Sequence, residues 1–183
     1  MGANKALLEL GGRTIIERTV EILRPLAADL FVVSDDDAAY AAIGLPVVPD
    51  VIPGRGSLGG IWTAVTRATH PFVLCVACDM PYLEAALLQA LFDAPGPGDD
   101  AVIPRLPSGP EPLLALYGRT LLPALERAVR AGELRIMTAL REARIRFIDA
   151  ADLDRLDPDR RSFINVNTPA ELAEARSRAG RNL

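Results

Sequence analysis

The feature that most constrains this chain is the regular alternation of helical segments with short apolar strands. Thr14 and Glu17 form a capping box, and the apolar positions that follow lie on one helical stripe. The pattern predicts helices over 14–27, 37–43, 60–69, 84–93, 120–131 and 134–143 and from 168 onward, and strands over 30–33, 47–48, 72–77, 101–104, 113–117, 144–148 and 163–166. This alternation predicts an α/β fold, with a mostly parallel sheet covered by helices on both faces.

All 183 residues are predicted to form one domain, 1–183. Pro95 to Asp100 is the strongest internal break, but the strands on either side are too short to stand as separate domains. The longest apolar run, Phe72 to Cys78, is too short to cross a bilayer, and no secretory signal pattern opens the chain. We therefore expect a cytoplasmic protein without membrane contact. The net charge of −4 does not favour nucleic acid as a partner.

Cysteine and histidine offer little for catalysis in this sequence. Cys75 and Cys78 form a C-x-x-C, but on a strand this spacing sends the two side chains to opposite faces. Zinc would need two further ligands, and the chain has one histidine, His70. We therefore interpret both cysteines as core residues and His70 as a solvated turn residue.

Polar side chains follow two of the predicted strands, where α/β proteins bind their ligands. Asp79 comes just after the strand over 72–77 and can hold Mg²⁺ through one ligand, with water and phosphate completing the coordination. The alternative is a turn-forming aspartate before Pro81. Asn165 and Asn167 lie on one side of the strand over 163–166. They can bind a ligand, or they can satisfy backbone groups at the start of the last helix.

The glycine-rich stretch Gly54 to Gly60 contains the spacing G-x-G-x-x-G, with Asp79 20 residues beyond Gly59. A dinucleotide-binding loop is one interpretation, but Pro49 and Pro53 separate the stretch from its preceding strand. The other interpretation is a loop whose backbone approaches a phosphate or a ring.

Lys5 is the single lysine beside 19 arginines. A compact ammonium acts as a point charge on phosphate, a role that arginine does not reproduce. Chance retention is the alternative explanation.

Five segments, in order, resemble the molybdenum cofactor guanylyltransferases over nearly the whole chain. They are Met1 to Thr14, Gly56 to Gly60, Cys78 to Tyr82, Glu111 to Tyr117 and Phe163 to Pro169. The resemblance implies a Rossmann-like nucleotidyltransferase domain that transfers GMP from GTP to molybdopterin with Mg²⁺.

The resemblance also implies roles for individual residues. On the donor side, Lys5 would contact the GTP phosphates, Ser34 and Asp50 the nucleotide, and Asp79 both the nucleotide and Mg²⁺. Lys5 and Asp79 would be the catalytic pair. On the acceptor side, molybdopterin would lie against Gly56, Gly59, Gly60, Asn165 and Asn167. No histidine base is needed, because the attacking phosphate oxygen is already an anion.

This sequence departs from the family's pattern in three ways. The family opens with an apolar strand and a glycine-rich phosphate loop, of which this sequence matches only the end, at Met1 and Gly2. Asn4 stands where the family has an aspartate, and Ser34 where it often has an asparagine. We therefore expect a fragment that lacks the opening strand and loop, the alternative being an inactive variant.

Two further functions stay open beside the guanylyltransferase. Related enzymes of the same fold transfer CMP or use other phosphorylated acceptors, and a non-catalytic module would only bind molybdopterin. The expected partners are GTP and molybdopterin, with transient contact to proteins that deliver or receive the cofactor.

Overall fold

A mixed β-sheet lies at the centre of the computed structural model, which describes residues 4–166, 171 and 173. The α-helices are α1 (Ile15–Leu23), α2 (Asp37–Tyr40), α3 (Gly56–Arg67), α4 (Ala85–Asp93), α5 (Leu122–Arg130), α6 (Ile136–Ala139) and α7 (Ala150–Leu156). The strands are β1 (Glu9–Leu10), β2 (Arg13–Thr14), β3 (Val32–Val33), β4 (Val47–Val48), β5 (Phe72–Val76), β6 (Ala101–Leu106), β7 (Gly109–Pro110), β8 (Leu114–Gly118) and β9 (Ile145–Ile148).

The central sheet has the order β5-β8-β6-β7, and β9 also pairs with β6. Strand β8 is antiparallel to both β5 and β6, whereas β9 is parallel to β6. Strands β5, β6 and β9 therefore run in one direction and β8 runs against them. The predicted α/β class is confirmed, but the sheet is mixed where a mostly parallel one was expected. The reason is that the connections between β6, β7 and β8 are too short for a parallel crossover.

Helices cover both faces of this sheet, as predicted. Alternate residues of β6 divide between two cores: Ala101 and Ile103 pack in one cluster and Val102 in the other. The first cluster includes Leu58 and Trp62 of α3 together with residues of α5 and α6, and the second includes residues of α4 and α7. Helix α3 also contacts β3, which forms a short parallel pair with β4. Helix α3 therefore connects this pair to the central sheet.

The predicted strands up to residue 148 are all found, with ends that agree within two residues. The capping box of α1 is also confirmed, since Thr14 Oγ1 accepts from the Glu17 N–H (3.3 Å) and Glu17 Oε2 from the Thr14 N–H (2.7 Å). Helix α1 ends earlier than predicted, at Leu23. Arg24 still has helical backbone angles, but Pro25 has no N–H with which to continue the helical hydrogen bonds. Helix α3 begins earlier than predicted, since Gly59 already donates to the Arg55 carbonyl (3.1 Å).

The strand predicted over 163–166 is wrong. Arg161–Phe163 form a 3-10 turn, and the chain from Ile164 to Val166 has no strand partner among the described residues. Its apolar residues still reach the core, and the Val166 N–H bonds to the Asp79 carbonyl (2.9 Å) rather than to a sheet ladder. Most of the helix predicted from residue 168 lies outside the described residues; Glu171 and Ala173 are helical.

The interpretation of Cys75 as a core residue is confirmed, since it packs against the first core cluster, where burial raises its pKa to about 12. The same interpretation is wrong for Cys78, which is exposed in the loop after β5, because the strand ends before reaching it. His70 is exposed and its Nε2 lies 3.2 Å from Asp29 Oδ2, as expected of a turn residue. None of the helices in the described part of the chain is both long and apolar enough to cross a membrane.

Candidate active site

Lys5 and Asp79 form an ion pair at the carboxyl end of β5. The strand ends at Val76 and the chain then turns, which places the Asp79 carboxylate at the edge of the sheet. Lys5 Nζ lies 3.5 Å from Asp79 Oδ2, and the two side chains are 33% and 17% exposed. Both are thus accessible to a ligand, and the structure brings together the two residues predicted to be catalytic.

Asn4 anchors the segment that carries Lys5. Its Oδ1 accepts from the Ala6 N–H (3.2 Å) and caps the short 3-10 turn Lys5–Leu7. Its side-chain amide also donates to the hydroxyl of Tyr40, a buried residue of α2 (3.0 Å). An asparagine at this position therefore has a structural role in holding Lys5 at the sheet edge.

Ser34 and Asp50 lie together at the carboxyl end of the β3–β4 pair. The Ser34 N–H donates to the Val48 carbonyl (3.0 Å), and the Asp50 N–H donates to Asp35 Oδ1 (3.1 Å). Burial raises the pKa of Asp50, while the hydroxyl of Thr63 opposes the shift by donating to Asp50 Oδ1 (3.1 Å). These two residues form a polar edge on the strand pair that α3 joins to β5.

The segment that carries Asn165 is bonded to Asp79, because the N–H of the following residue, Val166, donates to the Asp79 carbonyl. Asn165 Oδ1 is buried, and no hydrogen-bond partner for it exists among the described residues. Leaving such an acceptor unsatisfied costs about 1–3 kcal/mol, so a ligand that donates a hydrogen bond here would recover that energy. Asn167 lies outside the described residues.

The three glycines predicted on the acceptor side lie in the first turns of α3. Gly56 opens the helix with a φ of +55°, a conformation that few side chains adopt. A Cβ on Gly59 would come within 2.6 Å of Arg55 Cβ, whereas one on Gly60 would meet open space. Gly59 is thus explained by close packing. A dinucleotide fingerprint needs its first glycine directly after a strand, but β4 ends at Val48, well before Gly54.

The donor set fits Mg²⁺ held by one protein carboxylate. No group of three or more acidic, histidine or cysteine side chains able to hold a metal occurs in the described part of the chain. Mg²⁺ characteristically takes one or two carboxylates and completes its octahedron with water and substrate phosphates. Asp79 is accessible at the sheet edge and can supply that carboxylate.

Glu111 is a partly buried carboxylate that follows the β6–β7 hairpin. It lies just before β8, where the Leu113 carbonyl accepts from the Ala77 N–H (2.9 Å), two residues before Asp79. Burial raises the pKa of the Glu111 carboxyl above its ordinary value. The sequence signal was its place at the start of the segment Glu111 to Tyr117, which carries part of the family resemblance, because the Glu-Pro dipeptide by itself indicates only a turn.

Glu111→Gln should raise the stability of the protein more near pH 7 than at about pH 3.5, because the folded state binds the Glu111 proton more tightly than the unfolded state does. Below the pKa that Glu111 has in the unfolded chain, its carboxyl is protonated in both states and does not lower the stability. As the pH rises from that pKa through the raised pKa of the folded state, the carboxyl increasingly destabilises the wild-type protein. Urea unfolding of both proteins at the two pH values measures the difference. An advantage of the variant that is equal at both would contradict the prediction.

Comparison with known proteins identifies the family. The model of the MobA-like NTP transferase domain matches residues 1–146. The molybdenum cofactor guanylyltransferase of Desulfosudis oleivorans is 35% identical over 182 residues, covering 98% of this chain and 90% of the relative. Molybdopterin-guanine dinucleotide biosynthesis protein A from Archaeoglobus fulgidus superposes with a TM-score of 0.85 at 28% identity, over 98% of this chain and 92% of that one.

A more distant structure shows how widely this fold is shared. The 2-C-methyl-D-erythritol 4-phosphate cytidylyltransferase of Thermus thermophilus has a TM-score of 0.74 at 18% identity, over 96% of this chain and 94% of that one. At this identity the likeness concerns the fold alone. The family match and the relatives of higher identity are more specific than this structural likeness. They show that the chain belongs to the MobA-like NTP transferases, as a nucleotidyltransferase of the molybdenum cofactor guanylyltransferase group.

Proposed function

We propose that this chain, acting as a single nucleotidyltransferase domain, transfers GMP from GTP to molybdopterin. A phosphate oxygen of molybdopterin forms a bond to the α-phosphorus of GTP. The bond between that phosphorus and the bridging oxygen breaks, and pyrophosphate leaves with the electron pair. The observation that carries the proposal is the accessible Lys5–Asp79 pair at the sheet edge, in a chain of this family.

Lys5 and Asp79 act on the donor phosphates. The Lys5 ammonium neutralises charge that develops on the phosphate oxygens, and Asp79 holds the Lys5 side chain in that position before substrate binds. Asp79 would also hold Mg²⁺, which supplies Lewis-acid stabilisation of the phosphoryl oxygens when it is bound. Two opposite charges at one edge therefore organise a substrate that is itself highly charged.

The nucleotide and the acceptor lie on different sides of Asp79 in this proposal. Ser34 and Asp50 contact the nucleotide from the end of the β3–β4 pair. The first turns of α3, with Gly56, Gly59 and Gly60, form the floor between the two ligands. Asn165 faces molybdopterin, and its buried Oδ1 supports this role because it lacks a donor within the described structure. Asn167 is assigned to the same side from the sequence alone.

No general base is required of the protein. The attacking phosphate oxygen is anionic near neutral pH, so positioning and charge neutralisation provide the catalysis. The position of His70, the single histidine of the sequence, agrees with a mechanism that uses no histidine base. His70 lies two residues before β5 and pairs with Asp29, at the opposite end of the strand from Asp79.

Transfer of label from [α-³²P]GTP to molybdopterin tests the proposal directly. With Mg²⁺ we expect a labelled dinucleotide and one equivalent of pyrophosphate, and with excess EDTA we expect neither. Parallel reactions with labelled CTP and ATP measure base preference. Label transfer from CTP in preference to GTP would overturn the choice of guanine, and GTP hydrolysis without a dinucleotide product would overturn the choice of acceptor.

The cytoplasmic location and the transient contacts with proteins that deliver or receive the cofactor remain predictions of the sequence analysis.

A further inference from the structure

Three polar side chains are almost fully buried in the described part of the chain: Thr63, Asp157 and Ser162. A buried polar group destabilises the fold unless it is hydrogen-bonded, so its partners indicate why it is retained. Each of these three bonds to a backbone segment that carries, or adjoins, a residue of the proposed site. None of them has a role in the proposed chemistry.

Asp157 shapes the segment before Asn165. Its Oδ1 accepts from the Arg161 N–H and its Oδ2 from the Ser162 N–H, both at 2.9 Å. A carboxylate that receives one backbone donor on each oxygen compensates part of its desolvation cost. These bonds fold Arg161–Phe163 into a 3-10 turn, which is why the sequence-predicted strand does not form.

Ser162 attaches this turn to the loop that follows Asp79. Its Oγ accepts from the Glu84 N–H (2.9 Å) at the start of α4. Four residues later, the Val166 N–H bonds to the Asp79 carbonyl. Asn165 therefore lies in a segment that is tied at both ends to the loop between Asp79 and Glu84.

A side-chain contact strengthens the same connection. The Arg161 guanidinium lies over the Tyr82 ring, 5.5 Å from its centroid, and its Nη1 is 4.0 Å from Glu84 Oε1. Both contacts join the 3-10 turn to the loop after Asp79. The two segments thus form one unit, with Asp157 buried beneath it.

Thr63 makes the corresponding connection on the other side of the site. From α3 its hydroxyl donates to Asp50 Oδ1 (3.1 Å) and accepts from the Val51 N–H (3.0 Å). Both bonds are to the loop that carries Asp50, and neither is to the segment that carries Asn165. This separation provides a matched control within the same protein.

We propose that Asp157 and Ser162 are positioning residues for the acceptor: they hold the segment 161–166 against the loop after Asp79, so that Asn165 meets molybdopterin beside the reacting phosphates. This inference rests on the proposed function. Displacing a substrate-binding group by about 1 Å can cost up to about 10²-fold in rate, so loss of either anchor should be measurable.

Asp157→Asn and Ser162→Ala test the proposal, with Thr63→Val as the control. An amide in place of the Asp157 carboxylate has one oxygen for the two N–H donors, and the alanine leaves the Glu84 N–H without its acceptor. Each should raise the KM for molybdopterin by about tenfold and change the KM for GTP by less than about twofold. Thr63→Val should show the opposite selectivity. Thermal unfolding of each variant reports its stability separately.

Hydrogen exchange gives a readout independent of turnover. In Ser162→Ala the amides of Glu84 and Val166 should lose protection, while that of Val51 should keep it. Equal changes in both KM values, or an unchanged molybdopterin KM in a variant that has lost this protection, would overturn the proposal.

Equilibrium binding of GTP and of molybdopterin separates the proposed function from the proposed positioning role. If the wild type binds both and transfers nothing, the proposed function fails and the selectivity of binding still decides the role of Asp157. Wild type that does not bind molybdopterin would contradict both.

Discussion

Asp79→Asn should lower GMP transfer by about 10³-fold or more while the protein stays folded. The substitution keeps the shape of the side chain and removes its charge. Mg²⁺ would then lose the carboxylate that we assign to it, and Lys5 would lose a partner 3.5 Å away. A loss of this size corresponds to about 4 kcal/mol of transition-state stabilisation, which is comparable with what a bound metal ion supplies.

Label transfer from GTP measures this effect, and Asp29→Asn is the matched control. Asp29 is an exposed aspartate that pairs with His70 near the amino end of β5, so its variant removes the same charge from the opposite end of the strand. We expect the control to retain wild-type turnover. If Asp79→Asn also retained it over a range of Mg²⁺ concentrations, the metal and catalytic roles of Asp79 would be wrong.

Lys5→Ala has the second largest expected effect, a loss of about 10²-fold in kcat/KM for GTP with little change in stability. An ion pair that keeps contact with solvent, as Lys5 and Asp79 do, contributes about 0–1 kcal/mol to folding, so we expect the substitution to affect substrate binding more than stability. Lys5→Arg should restore only part of the activity, because a planar guanidinium cannot occupy the position of a compact ammonium.

Steady-state kinetics and thermal unfolding of the two Lys5 variants separate charge from shape. Full activity in Lys5→Arg would show that any cation suffices, and this would remove the significance of the single lysine in the sequence. A large loss of stability in Lys5→Ala with unchanged kinetic constants would instead assign Lys5 a structural role.

The α/β class and most element positions were predictable because they depend on signals within a few residues of the chain. The capping box at Thr14 is one such signal, and the apolar run ending near Asp79 is another. The strand over 163–166 failed for a reason that periodicity does not encode. Its apolar side chains are buried as a strand would bury them, but the buried carboxylate of Asp157 accepts from two backbone N–H groups and turns the chain before the strand can start.

By itself, the sequence determined which residue types follow the strands, and it predicted that Asp79 lies at the carboxyl edge of an α/β sheet, where such sheets bind their ligands. Only the tertiary structure decided which distant segments meet there: Lys5 with Asp79, Thr63 with Asp50, and Ser162 with Glu84. The physical reason is the range of the interactions. Helix caps and strand patterns are set by neighbours in sequence, whereas these contacts arise when packed cores on both faces of the sheet bring separate loops to one edge.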